Sequence, residues 1–215
     1  GPPSAVRMKL AVDTSCALRY LHCQHPTIVH GDIKGNNILV EQHACEGAHA
    51  KLIDFGLSRL ITRSTKPLGG TLEWMAPEVL LKTGKLAPSS DIFSFGRLLY
   101  MIMAGKKPLV GVREPDILLA AREGRSLDSA WPPAMPCSAE CKRLADTCVR
   151  VEPATRPNSL QIHCALRALL DPTAGQHDSL SVGALITRAR GSGAGAALRD
   201  VSEEVHVGSG LHNSS

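Results

Sequence analysis

The sequence predicts a mainly α-helical domain of α+β type, with short β-strands gathered around one polar loop and a disordered C-terminal tail. Three observations carry this expectation. Apolar residues recur at spacings near three and four from Val6 to His22, as an amphipathic helix requires, and four later segments read as helices between Pro- and Gly-containing breaks. Three short β-prone runs surround the charged stretch from His30 to Asn37 and lead into Asp54. After Asp171 the composition turns to Gly, Ala and Ser with few large apolar residues, too few to bury a core. The 215 residues suit one domain with some excess, and a domain of that size buries roughly 70% of its unfolded surface.

Taken in order, residues 1–5 form a leader, residues 6–171 the domain and residues 172–215 the tail. From Val6 to His22, the apolar positions Leu10, Ala11, Cys16, Ala17, Leu18 and Leu21 predict the first helix, which Pro26 ends. Thr27 to Val29, Ile38 to Val40 and Lys51 to Ile53 are the β-prone runs. Residues 41–50 are polar and small without periodicity, and predict a surface turn. Helices follow at roughly Asp91 to Met103, Asp116 to Glu123, Ser138 to Val149 and Ser159 to Leu170, with Ser90, Ser138 and Asn158 as N-caps.

Composition excludes several classes of function. A net charge of +4, with no dense Lys/Arg run and only 3% aromatic residues, gives no footprint for nucleic acid. The longest apolar stretch, Leu98 to Ala104, is far too short to span a bilayer. Seven scattered cysteines without a framework spacing favour a reduced, intracellular and cytoplasmic setting. Cys137, Cys141 and Cys148, at i, i+4 and i+11, fit one buried helix face better than a metal site.

Three strings stand in fixed order: His30-Gly31-Asp32-Ile33-Lys34-Gly35-Asn36-Asn37, Asp54-Phe55-Gly56 and Ala76-Pro77-Glu78. Phosphoryl transfer to a hydroxyl needs a carboxylate near the acceptor proton, a cation near the transferred phosphate and an oxygen ligand for magnesium. Asp32, Lys34 and Asn37 offer these three. A carboxylate at a strand end, such as Asp54, can chelate magnesium bridging the ATP phosphates. Glu78 requires a cationic partner if buried, because an unpaired carboxylate there is costly.

These strings resemble the catalytic domain of protein kinases, serine/threonine type of the tyrosine-kinase-like group, and specifically its large C-terminal lobe without the N-terminal lobe. The resemblance covers about Val6 to Asp171. It implies ATP and Mg²⁺ as cofactors, a protein substrate, and room for a regulatory protein partner. It also implies that Asp32 is the catalytic base, that Lys34 contacts the γ-phosphate, that Asn37 and Asp54 ligate magnesium, and that Leu39 floors the adenine pocket. By the same resemblance Phe55 packs on His30, Arg156 pairs with Glu78, Asp91 anchors the loop backbone, and Gly70, Thr71, Trp74 and Met75 form the peptide-binding end of an activation segment.

The sequence departs from the family pattern in two places. Gly31 stands where most members carry an Arg that neutralises a segment phosphate, so phosphorylation at Ser58, Thr62, Ser64 or Thr65 is not expected to act through that contact. No Gly-rich loop precedes the strings, the first Glu is Glu41, and the only Lys before Lys34 is Lys9. Nucleotide held from one side is poorly positioned, so little activity is expected of these 215 residues alone. The alternative readings are a pseudokinase-like or truncated non-catalytic interaction module, or a piece of an ordinary kinase.

Overall fold

The computed structural model describes residues 1–45, 47–55, 59–60, 72–127, 131 and 138–171, with the side chains of 59, 60 and 138 left aside. The first helix, α1 (Ser4–His22), exists because Met8, Ala11, Val12, Leu18 and Leu21 share one buried face, and Arg19 and His22 in its last turn suit its negative end. Strand β1 (Ile28–Val29) follows, and a 3-10 turn at Gly35–Asn37 leads into β2 (Ile38–His43), β3 (Gly47–Leu52) and β4 (Arg59–Leu60). The helices α2 (Pro77–Leu80), α3 (Pro88–Ala104), α4 (Glu114–Arg122), α5 (Ser138–Cys148) and α6 (Ser159–Leu170) complete the order.

Two antiparallel pairs form: β1 with β4, Ile28 opposite Leu60, and β2 with β3 in a register running from Ile38 opposite Leu52 to His43 opposite Gly47. The second pair corrects the expectation of a plain surface turn over residues 41–50, since most of that stretch is hairpin. Its ladder is supported from α1 and by an ion pair between its own strands. Ala50 N donates to Asp13 of α1 at 3.2 Å, Lys9 Nζ lies 3.1 Å from His49 Nδ1, and Glu41 pairs with Lys51 at 2.6 Å.

The predicted cap of α3 is also corrected. Pro88 occupies the first turn and the helix begins there, with Ala87 as N-cap; Ser90 sits three residues inside the cap, and its Oγ accepts from Ala87 N at 3.3 Å. Asn158 caps α6 as expected, accepting from Gln161 N at 2.9 Å. Ser138 is the first residue of α5, and its capping contacts lie outside the described residues.

Helix α3 is the hub. Ile92, Phe95, Leu98, Leu99 and Met103 are at most 1% exposed and meet Leu18 from α1, Leu144 from α5 and Ile162 and Leu166 from α6. Aliphatic side chains fill the interior around the single fully buried aromatic, Phe95, as the low aromatic content requires. Arg7 ties α1 to the C-terminus of α3, donating from Nη1 to the carbonyls of Ile102 at 3.0 Å and Met103 at 2.8 Å. Cys141 and Cys148 are fully buried, and burial pushes the Cys148 thiol up to about 12; both belong to the expected apolar face, while Cys137 lies outside the described residues.

Gly96 sets the spacing between α3 and α5. A β-carbon there would lie 2.7 Å from Cys148 Cβ and 3.1 Å from the Ala145 carbonyl oxygen. Ala is the better helix former by about 1 kcal/mol, but overpacking a rigid contact costs about 1–3 kcal/mol. Gly96→Ala is therefore expected to lower the melting temperature despite the gain in propensity; a rise would show that the two helices separate freely.

Candidate active site

The loop between β1 and β2 is held at its backbone. Asp91, 1% exposed on α3, accepts from His30 N through Oδ2 at 2.8 Å and from Gly31 N through Oδ1 at 2.9 Å. His22 Nε2 lies 3.0 Å from the same Oδ2. Gly31 has φ +80°, a conformation that costs an L-residue roughly 1–2 kcal/mol. Ile33 is fully buried in the helical core, and it fixes the chain between Asp32 and Lys34. Gly35 rests against Met101 of α3, too close for a β-carbon to fit unless Met101 shifts.

His30 takes the packing role that the sequence assigned to it. Its ring is fully buried, 5.2 Å from the Phe55 ring at 55°. Nδ1 accepts from Asp32 N at 3.3 Å and Nε2 lies 3.2 Å from the Ile53 carbonyl, so the ring is the Nε2–H tautomer with both nitrogens engaged.

Asp32, Lys34 and Asn37 meet in one cluster. Lys34 Nζ donates to Asp32 Oδ2 at 2.6 Å, and Asn37 Nδ2 donates to the Asp32 carbonyl at 2.8 Å and to Oδ2 at 3.0 Å. With the amide nitrogen of Asn37 committed to Asp32, its Oδ1 remains as an oxygen donor. Asp54 comes to the same place through the sheet: Ile53 N donates to the Asn37 carbonyl at 2.9 Å, continuing the β2–β3 register. Asp54 has φ +64°, where Asp is more tolerant than most residues and where held strain marks working positions.

Asn37 Oδ1 and the Asp54 carboxylate are hard oxygen donors of the kind magnesium takes together with phosphate oxygens. Among the described residues no cluster of three or more His, Cys, Asp or Glu stands ready to hold a metal. Leu39 is 44% exposed, Ile53 37% and Phe55 50%. These three apolar residues stand close in the chain to Asn37 and Asp54, Leu39 in β2 and Ile53 and Phe55 on either side of Asp54.

Behind the cluster, Glu78 and Arg156 form the ion pair that the sequence required. Nη1 reaches Oε1 at 2.7 Å and Nη2 reaches Oε2 at 2.8 Å, with the Arg156 side chain fully buried. The remaining N–H groups of Arg156 go to the carbonyls of Ser89, Arg150 and Val151. Trp74 is buried and its carbonyl accepts from Ser94 Oγ at 2.8 Å. Gly56, Ser58, Thr62, Ser64, Thr65, Gly70 and Thr71 lie outside the described residues.

The model of the protein kinase domain family matches residues 3–166, which span the loop, the Asp54 strand end and the Glu78–Arg156 pair. The chain belongs to the protein kinase domain family. It is 35% identical over 170 residues to the dual specificity protein kinase shkC of Dictyostelium discoideum, a match covering 76% of this chain and 32% of that protein. It is 33% identical over 173 residues to human mitogen-activated protein kinase kinase kinase 11, covering 78% of this chain and 20% of that protein. With rat receptor-interacting serine/threonine-protein kinase 3 it shares 32% over 169 residues, covering 73% and 34%. The chain thus matches only about a third or less of the length of these kinases.

Within this kinase domain, two residues that shape the loop escaped sequence reasoning. His22 reads as one more polar position near a helix end, and nothing in its spacing announces the bond to Asp91. Gly31 reads as a missing Arg, yet its left-handed backbone makes it a fitted residue as well.

Proposed function

We propose that this kinase domain transfers the ATP γ-phosphate to a serine or threonine hydroxyl of a protein substrate, with the roles divided among Asp32, Lys34, Asn37 and Asp54. The observation that carries the reading is the cluster in which Lys34 and Asn37 both touch Asp32 Oδ2, at 2.6 and 3.0 Å. Asp32 receives the proton of the acceptor hydroxyl, and Lys34, freed from Asp32 when a phosphate arrives, counters charge on the transferred group. Asn37 and Asp54 hold magnesium, which when bound neutralises the phosphate oxygens, and Leu39 lies under the adenine. The proposal includes a reduced, intracellular and cytoplasmic setting, on the ground that the seven cysteines of the sequence show no framework spacing.

Mg²⁺-dependent ATP binding tests this reading on the chain itself. Ligand at a hundredfold excess over Kd adds about 2.7 kcal/mol, which raises the melting temperature of a domain this size by roughly 5–10 °C. Asp54→Asn is expected to abolish most of that rise, and Asp32→Asn to leave it largely in place. A folded chain that shows no rise with Mg-ATP sinks the catalytic reading and leaves a non-catalytic interaction module.

A further inference from the structure

The seam between α1 and α6 carries a cluster of cationic groups that the phosphoryl-transfer reading does not use. The two helices run in opposite directions, since the end of α1 at His22 and the start of α6 at Ser159 border one hollow while Ser15, further back on α1, meets His163. That contact fixes the histidine tautomer. Ser15 is fully buried and gives its hydroxyl hydrogen to the Val12 carbonyl at 2.7 Å, so toward the ring it accepts. Nδ1 of His163 therefore carries the hydrogen and donates to Ser15 Oγ at 3.0 Å, and among the described residues Nε2 has no hydrogen-bond partner.

Two arginines bracket this contact. Arg19 stands one turn from Ser15 on α1 and Arg167 one turn from His163 on α6, a spacing that puts helical neighbours about 5–6 Å apart at Cβ. Because the helices are antiparallel, the two arginines approach His163 from opposite sides. Among the described residues neither guanidinium has a hydrogen-bond or ion-pair partner. Burial holds the His163 ring below its ordinary range, Arg19 and Arg167 push it the same way, and no carboxylate opposes them.

Three nitrogen bases from two helices, with no acid among them, lack only a negative charge. We propose that this seam binds a doubly charged oxyanion of the phosphate class, gripped by Arg19 from one helix and Arg167 from the other. The arginine fork matches the oxygens of such a group. Neutral His163 offers an anion only an acceptor at Nε2, so binding draws a proton from water onto that nitrogen, which then donates. Leu160, 51% exposed and one turn before His163, offers apolar contact to whatever bears the phosphate. The site stands apart from the phosphoryl-transfer reading, because it requires only the folded chain.

Sulfate is the first probe, because it stays doubly charged while histidine titrates. It is titrated into the full 215-residue chain at constant ionic strength and followed by histidine and arginine side-chain NMR. Saturable shifts are expected at the His163 ring and at the Nε–H groups of Arg19 and Arg167. Affinity is expected to rise as pH falls through the histidine range and to level off once the free ring is itself protonated. Arg19→Gln and Arg167→Gln leave no acceptor without its donor, so the chain stays folded, and each is expected to weaken sulfate about tenfold. Arg122→Gln, on α4, leaves the affinity unchanged, and His163→Gln removes its pH dependence. A phosphoserine peptide that binds more tightly than inorganic phosphate at one pH assigns the phosphate to a protein, and equal affinities assign it to the free ion; either upholds the site. Shifts that do not saturate, or undiminished affinity with both arginines replaced, would overturn the proposal.

Discussion

Arg156→Met is expected to lower the unfolding free energy by about 3–5 kcal/mol, because it strands the Glu78 carboxylate against the protein interior. Glu78 is 13% exposed, and without the guanidinium its carboxylate keeps the Ser90 hydroxyl, which donates to Oε1 at 3.2 Å. The same change orphans the carbonyls of Ser89, Arg150 and Val151, each now served by one N–H of Arg156, and removes the cation from the Phe93 face, 5.1 Å away. Arg156→Lys is expected to recover only part of the loss, since a single ammonium cannot match a two-toothed carboxylate and three carbonyls at once. The diagnostic variant changes both partners: Glu78→Leu with Arg156→Met exchanges a buried charge pair for apolar groups and is expected to sit closer to the parent than either single change. Urea denaturation reads these differences as shifts in midpoint at constant slope. A loss below about 1 kcal/mol in the Arg156→Met chain would mean that Glu78 finds water or another donor, and that the pair is no brace.

The pair was legible in the sequence in two steps: a buried Glu78 requires a cation on energetic grounds, and the family resemblance named Arg156 as that cation. The helices were legible for a different reason: α1, α5 and α6 each bury one face, which the sequence records as a period, while α3 is buried nearly all round and reads as an apolar run. The β2–β3 hairpin was not. Residues 41–50 show no alternation, and the strands persist there through Lys9 and Asp13 of α1, contacts that local sequence does not display. The start of α3 was misread for a related reason: Ser90 has the chemistry of a cap, but Pro88 starts the helix earlier, and Ser90 is used by Glu78 instead. In the site, motif spacing exposed Asp32, Lys34, Asn37 and Asp54, whereas Ile33 and His22 act through burial and through a partner 69 positions away.

Asp91→Ala is expected to release the loop from His30 to Asn37 while leaving most of the helical core standing. Three donors converge on the carboxylate, from His30 N, Gly31 N and His22 Nε2, and buried donors that lose an acceptor cost about 1–3 kcal/mol each. The sum is on the order of 3–9 kcal/mol, concentrated in the loop because the amides cannot turn to another acceptor without moving it. Gly31 sharpens the effect: nothing but its hydrogen bond to Asp91 favours φ +80° over the many other conformations a glycine adopts. Asp32 follows directly, so the residue that Lys34 and Asn37 hold loses its fixed approach. Native-state hydrogen exchange should show the amides of His30 and Gly31 at least about a hundredfold faster, with the core amides of α3 and α6 changed far less. Asp91→Asn is a sharper test than Ala, because it keeps the shape but offers one oxygen where the donors use two. Its amide nitrogen must then face an N–H, and it is expected to protect one of the two loop amides and expose the other. Equal protection of both in the Asn chain would show that Ile33 in the core, rather than the carboxylate of Asp91, fixes the loop.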